Sequence, residues 1–263
     1  MPTIDDDLPL VRHDAGGVAT LTMNRPRQFN ALSEEMLAAL DHELARLAEN
    51  DSVRCVVIAA EGKAFCAGHD LKQMRATPDE AYYQSLFARC GEVMQRIVNL
   101  PVPVVARVQG IATAAGCQLV ASCDLAVAAS SARFAVSGIN VGLFCSTPAV
   151  ALSRSIGRKR ALEMLFTGEF IDADQALDWG LINRVAADDS LDEILDGLTA
   201  SICAKSGVAV RTGKVMFQRQ LQMPLDQAYT FAGDTMACNM MAEDVAEGID
   251  AFIEKRPPHW RHR

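Results

Sequence analysis

Three short runs, residues 53–60, 101–108 and 125–129, are apolar at nearly every position and carry at most one charged residue each. A strand with one wet face alternates polar and apolar side chains, so runs like these belong to strands buried on both faces, in a parallel sheet covered by helices. Val18–Met23 has the β-branched character of a further strand, followed by a turn at Asn24–Gln28. From Ser33 onward, Met36, Leu37, Leu40, Leu44 and Leu47 recur at helical spacing, with Ser33 as a cap and Glu34 and Glu35 suited to the first-turn dipole. A second helix is expected over about 115–122. Repeated strand, crossover and helix units imply an α/β core with parallel pairing.

Beyond about residue 190 the strand signals stop. Stretches 190–204, 208–222, 224–241 and 243–255 read as helices, dividing the chain into an α/β core over 1–190 and a helical region over 191–263. That region carries Met216, Phe217, Leu221, Tyr229, Phe231, Met236, Met240 and Met241. A few short helices cannot hide so much apolar surface alone, so it packs on the core or on another subunit.

Composition removes several function classes. With 25 Lys+Arg against 33 Asp+Glu the formal charge is −8, which argues against a nucleic-acid backbone as main partner. No apolar run reaches the roughly 18–20 residues of a membrane span. The first ten residues, MPTIDDDLPL, lack the basic start and apolar stretch of a secretory signal, so a cytoplasmic location is expected. Eight cysteines include no C-x-x-C pair, and most sit among Val, Ala and Leu, as reduced thiols do; the five histidines show no metal-ligand spacing. No metal is expected. Gly207–Lys214 superficially looks like a phosphate loop, but it is one residue too long and has Val215 where Ser or Thr would bind magnesium.

Two glycine-containing loops, Phe65–Asp70 and Gln109–Gln118, follow buried strands. Small residues there let a ligand approach the main chain, and the first turn of a following helix offers unpaired N–H groups. Two such groups converging on one point form an oxyanion hole, where losing one donor costs about 2.7–4 kcal/mol of transition-state stabilisation in a serine protease. Taken singly, each loop reads equally as a tight turn with close helix packing.

Taken together and in order, the motifs resemble the enoyl-CoA hydratase/isomerase (crotonase) superfamily from end to end. They are Asn24-Arg25-Pro26 with Asn30-Ala31-Leu32, the stretch 64–74, Pro103–Gly110 with Ala115–Leu119 and Cys123-Asp124, then 162–168, 173–181 and 247–256. Residues 140–148 and 114–124 are similar to the subgroup named for enoyl-CoA hydratase domain-containing protein 3. The resemblance implies a spiral of ββα units, a C-terminal helical trimerisation region giving a homotrimer or dimer of trimers, and an acyl-CoA thioester bound at the two loops with no other cofactor. By position the oxyanion donors fall on the backbone N–H groups of His69 and Ala115, and the CoA contacts on Ala64, Cys66, His69, Asp70, Leu71 and Lys72. Arg25, Arg27 and Lys63 are further cations available to CoA phosphates.

The chain departs from the hydratase pattern where the chemistry is done. The two glutamates that activate water and deliver a proton in hydratases fall on Gln118 and Gly138. Gln exchanges no proton near neutral pH and Gly has no side chain, which argues against efficient hydration. Gln118 can still orient a water or a substrate group. Cys145 offers a thiol that donates a proton, or attacks if a nearby cation lowers its pKa, and His69 offers an imidazole; an inert buried thiol and a ring turned away are the plainer alternatives. The Ala67–Asp70 pattern also resembles methylmalonyl-CoA decarboxylases of the superfamily. Asp70 and Asp124 read as loop and helix-end anchors, and Gln73–Gly91, with Met74, Tyr82, Tyr83 and Phe87, as a helix or the wall of an acyl tunnel. The expected function is an enzyme that stabilises a thioester enolate without paired glutamates, decarboxylation of a malonyl-type CoA being one version. The competing reading is a protein that holds acyl-CoA without turnover.

Overall fold

The computed structural model describes residues 8–263. Most of the N-terminal stretch read above lies outside the described residues. The chain runs β1 (Leu10–Ala15), β2 (Val18–Met23), α1 (Glu34–Ala48), β3 (Cys55–Ala60), β4 (Ala64–Cys66), α2 (Leu71–Ala76), α3 (Glu80–Asn99), β5 (Val104–Val108), β6 (Ile111–Thr113) and α4 (Ala115–Ser122). It continues through β7 (Leu125–Ala129), β8 (Arg133–Ala135), α5 (Ser146–Ser155), α6 (Arg158–Thr167), β9 (Ile171–Asp172), α7 (Ala173–Trp179) and β10 (Arg184–Ala186). Four helices close it: α8 (Leu191–Cys203), α9 (Gly207–Gln220), α10 (Leu225–Asn239) and α11 (Glu243–Glu254).

The strands divide between two sheets in a regular way. The larger has the order β1-β2-β3-β5-β7-β10, parallel from β2 onward, and the smaller has the order β4-β6-β8-β9. Strands β3, β5 and β7 of the first sheet are each followed by a short strand in the second and then by a helix, so β3-β4-α2, β5-β6-α4 and β7-β8-α5 are three turns of one spiral. This is the expected crotonase-type α/β fold.

Apolar burial on both faces explains the unbroken runs. One face of the large sheet, with Val56, Ile58, Val104, Ala106 and Ala126, joins the main core with Leu37, Leu40 and Leu44 of α1 and Cys90, Val93 and Ile97 of α3. The opposite face, with Cys55, Val57, Val105 and Val127, packs on Leu191 and Leu195 of α8. Two of the runs begin later than expected, at Cys55 and Val104. Pro103 cannot donate to a ladder, though its carbonyl accepts from the Val56 N–H at 2.8 Å. Ser33 caps α1, accepting from the Met36 N–H at 3.2 Å.

The phosphate-loop-like stretch is the first part of α9, and Lys214 within it docks that helix on the core. Its Nζ donates to Asp124 at 2.6 Å and to the Val102 and Ile97 carbonyls at 3.0 and 3.1 Å. Asp124 also accepts from the Val104 N–H at 2.7 Å, so it anchors the start of β5 as well as the helix. Among the described residues no helix is long and apolar enough to cross a membrane.

Candidate active site

The two glycine-containing loops abut through β4 and β6, which pair in parallel with Cys66 opposite Ala112. Gly68, at φ +89°, lies so close to the start of α4 that a Cβ there would fall 3.2 Å from the Ala115 nitrogen and 2.9 Å from the Ala114 Cβ. Gly116 lies tighter still on β4, and any side chain on it would overlap the Cys66 carbonyl oxygen, 2.1 Å from a Cβ placed there. Both contacts demand glycine, one for lack of space and one for backbone angle as well.

Around this contact the scaffold is hydrogen-bonded from behind. The fully buried Asn30, held at φ +51°, donates its Nδ2 to the carbonyls of Glu61 and Ala64, both at 2.8 Å, and its Oδ1 accepts from the Arg25 N–H. Leu32 N–H donates to the Gly68 carbonyl at 2.8 Å and Ala67 N–H to the Phe29 carbonyl at 3.0 Å. Gln109 Nε2 donates to the Ala64 and Gly62 carbonyls. The Asn30-Ala31-Leu32 motif therefore positions the Phe65–Asp70 loop, a role its sequence did not disclose.

Neither the His69 N–H nor the Ala115 N–H donates to a protein acceptor among the described residues. Ala115 is the first residue of α4, whose opening N–H groups have no helical partner. The residue before it, Ala114, sits at φ +51°, ψ −121°, a backbone region normally left to glycine, while its own N–H is tied to the Ala135 carbonyl at 3.0 Å. Strain of this kind costs roughly 1–3 kcal/mol and persists where surrounding structure imposes it. It is the local device that orients the peptide leading into Ala115, and nothing in the residue type announces it.

The remaining candidates take distinct places. Gln118, one turn along α4 from Ala115, is 4% exposed and its Oε1 has no hydrogen-bond partner. Both ring nitrogens of His69 are buried and equally unpartnered, and the ring meets Phe87 of α3 edge-on at 5.4 Å. Burial pushes the His69 imidazole pKa below its ordinary value, with the Leu32 backbone pulling less strongly the other way. Phe87 in turn stacks on Tyr83, whose hydroxyl donates to the Met74 carbonyl at 3.0 Å. The 73–91 stretch thus supplies the end of α2 and the first half of α3, both helical.

Cys145 precedes α5 and lies against Gly138. Burial drives its thiol pKa upward, against an opposing contribution from the Gly138 backbone. Cys66 and Cys117 are pushed up to about 12 by the same cause. Such thiols stay protonated, so the arrangement does not favour Cys145 as an attacking thiolate. Thr113 and Ser137 link the second loop to the Gly138 segment through a 2.8 Å hydroxyl contact.

Asp70 caps α2, accepting from the Lys72 and Gln73 N–H groups at 2.8 and 3.2 Å. Leu71 and Lys72 are exposed, while Ala64 and Cys66 are buried in β4, the Ala64 carbonyl being already engaged by Asn30 and Gln109. No cluster of three or more His, Cys, Asp or Glu fit to hold a metal occurs among the described residues.

A spiral of ββα units whose short sheet brings a glycine loop against a helix start, leaving two amides free, defines a protein of the crotonase type. The chain belongs to the enoyl-CoA hydratase/isomerase family, whose model matches residues 13–263. It is 48% identical to the rat protein named enoyl-CoA hydratase domain-containing protein 3, mitochondrial, over 94% of this chain and 82% of that one. A crystal structure of an enoyl-CoA hydratase from Mycobacterium smegmatis matches with a TM-score of 0.95 at 61% identity, covering 96% of this chain and 98% of that one. The crystal structure of human enoyl-CoA hydratase domain-containing protein 3 matches with a TM-score of 0.93 at 43% identity, covering 96% and 100%. These matches place the chain with that subgroup. They also correct the expected cytoplasmic location, because the rat, mouse and human relatives are all named mitochondrial.

Proposed function

We propose that this chain binds an acyl-CoA thioester with the carbonyl oxygen between the N–H groups of His69 and Ala115, and stabilises the enolate of a reaction that needs no protein carboxylate. The observation carrying this reading is the contact of Gly68 with the start of α4, which brings the two loops together while both amides stay unpaired. Fixed donors aimed at developing negative charge lower the barrier to any reaction passing through that enolate. Lys72, exposed at the start of α2, is the cation offered to the CoA phosphates.

With Gln118 and Gly138 in place of an acid–base pair, loss of CO2 from a malonyl-type CoA fits the site best. The breaking carbon–carbon bond leaves its electron pair on the α-carbon and thioester oxygen, CO2 departs, and a proton from water completes the product. Purified protein incubated with methylmalonyl-CoA and crotonyl-CoA is expected to release CO2 and propionyl-CoA from the first and to hydrate the second poorly. Efficient hydration of crotonyl-CoA that persists in Gln118→Ala and Cys145→Ala variants overturns this reading. A second reading, binding without turnover, is favoured by the lack of a carboxylate at both 118 and 138. Thermal stabilisation by acyl-CoA with no product distinguishes it.

We further propose that the helices over 191–263 form a homotrimer, which pairs into a hexamer or remains alone. Phe217, Leu221, Leu225, Tyr229, Met236 and Met241 are exposed on α9 and α10 and after them, more apolar surface than a solitary subunit ordinarily presents to water. Sedimentation of the purified chain tests it, a monomer at micromolar concentration being the contrary outcome.

A further inference from the structure

A cavity of about 440 Å³ opens at the start of β3, lined by Asp51, Arg54, Gly207, Arg211, Arg261 and His262. Arg54 immediately precedes the strand, whereas the Phe65–Asp70 loop follows its far end, so the length of six extended residues, roughly 20 Å, separates the two places. The cavity gathers charge of one sign. Three guanidinium groups line it with a single carboxylate, that of Asp51, which is fully exposed and 3.7 Å from Arg211. Asp244, buried behind the tail, is already engaged by the Ser206 hydroxyl and by the Arg261 and His262 N–H groups. Arg261 meets Glu243 only at 3.4 Å, in an exposed pair. In a chain whose formal charge is −8, bringing these cations together is unfavourable unless an anion joins them. Burial lowers the Arg54 pKa, and Arg211 adds to the drop.

Three segments distant in sequence hold these groups in place. Arg54 Nη2 donates to the Lys205 carbonyl at 2.6 Å, and Arg211 Nη2 to the Val53 and Asn50 carbonyls at 3.0 and 3.3 Å. Their remaining donors are available to a guest. Glycine at 207 lets the Arg54 guanidinium lie across the start of α9, since a Cβ there would fall 3.0 Å from its Cζ. The Gly207 N–H donates to His262 Nδ1 at 3.1 Å, while the Val208 N–H has no acceptor among the described residues. Arginine presents a planar fork that matches phosphate oxygens, and a helix start adds a favourable dipole. The volume is that of a small-molecule pocket, larger than bare phosphate needs. We propose that this cavity binds the phosphate group of a small phosphorylated molecule between Arg54, Arg211 and Arg261, at a site separate from the thioester loops. The Gly207–Lys214 stretch then meets phosphate through an arginine and a helix start, its lysine being committed to Asp124.

Calorimetric titration of the full chain in chloride buffer with inorganic phosphate, AMP and adenosine tests it. Both phosphate-bearing probes are expected to bind and adenosine not to. AMP binding more tightly than inorganic phosphate identifies a nucleotide as the carrier of the group, and AMP binding more weakly identifies a smaller carrier. Arg261→Gln, at an exposed side chain, is expected to weaken phosphate about tenfold, as for the loss of one charge-assisted hydrogen bond, and Arg54→Gln at least as much. Lys72→Ala, at the thioester loops, is expected to leave phosphate binding unchanged, and Arg261→Gln to leave butyryl-CoA binding unchanged. Should Arg54→Gln not fold, Arg261→Gln and the His262 ring resonances of the native chain, which are expected to shift on adding phosphate, carry the test. Absence of binding by both phosphate probes, affinity unmoved in the arginine variants, unmoved His262 resonances, or phosphate binding lost in Lys72→Ala overturns the inference and leaves the thioester reading intact.

Discussion

Gly138 and Cys145 compete for one volume: a Cβ built on Gly138 would lie 2.7 Å from the Cys145 Sγ and 2.7 Å from the Leu143 carbonyl oxygen. Position 138, where the family resemblance leads one to expect a carboxylate, is therefore not an empty place awaiting a side chain. The segment 143–145 has closed over it, and the thiol packs where a longer group would start.

Gly138→Glu is accordingly expected to destabilise the protein by about 1–3 kcal/mol, the usual range for overpacking a filled interior, and to leave crotonyl-CoA hydration low. Thermal denaturation and loss of the enoyl absorbance measure the two effects. A Gly138→Glu variant as stable as the parent and hydrating briskly would show that 143–145 yields easily. Adding Cys145→Ala is expected to recover only part of the loss, because the Leu143 carbonyl remains.

Gly68→Ala and Ala114→Gly should act in opposite directions on one structural contact. The first forces a methyl against Ala114 and the Ala115 nitrogen at a φ of +89°, so acyl-CoA binding is expected to fall at least tenfold and stability to drop by roughly 1–3 kcal/mol. The second relieves the backbone at φ +51°, ψ −121°, and is expected to raise stability by up to about 1 kcal/mol after the entropic cost of glycine. Denaturant midpoints together with calorimetric affinities decide both.

Lys214 is expected to be the most sensitive single position in the C-terminal region. Lys214→Met leaves the Asp124 carboxylate buried without its cation, and breaking one side of such a pair costs about 3–5 kcal/mol. Burial pushes the Asp124 pKa up and the Lys214 pKa down, and their mutual attraction and hydrogen bond oppose both shifts, so each group depends on the other. Asp124→Asn with Lys214→Met is expected to lose much less than Lys214→Met alone, which a denaturation cycle over the four forms measures.

Acid should loosen the C-terminal tail within a defined window. Glu247 accepts from both Arg256 terminal nitrogens, at 2.6 and 2.9 Å, and from the His259 N–H at 2.7 Å, which depresses its pKa from 4.5 to about 2. A carboxylate with a lowered folded-state pKa contributes stability that is present above 4.5 and lost as pH falls towards 2. Trp260, whose Nε1 donates to the Ala204 carbonyl at 2.8 Å, reports the tail by fluorescence in a Trp179→Phe background. Its signal is expected to change between pH 4.5 and 2 in the parent. Glu247→Gln should show the altered signal already at neutral pH and lose this transition.

The residue pattern by itself settled the parallel core, the helix over 115–122, four C-terminal helices and the two loops on which the site is built, because hydrophobic periodicity and glycine placement are local signals. The family resemblance of its motifs, rather than the pattern itself, implied that Gln118 and Gly138 stand where a hydratase keeps carboxylates. What only the folded chain decided lies between segments distant in sequence. Gly68 meets Ala115 because β4 and β6 lie side by side, Cys145 fills the space beside Gly138 because 143–145 turns back on it, and Lys214 reaches Asp124 because α9 docks on the core. Ala114 reads as an ordinary small residue and yet adopts a glycine's backbone, since the hydrogen bond to Ala135 and the helix that follows hold it there. Close approach, strain and the pairing of buried charges depend on which atoms become neighbours, and a linear pattern does not carry that information.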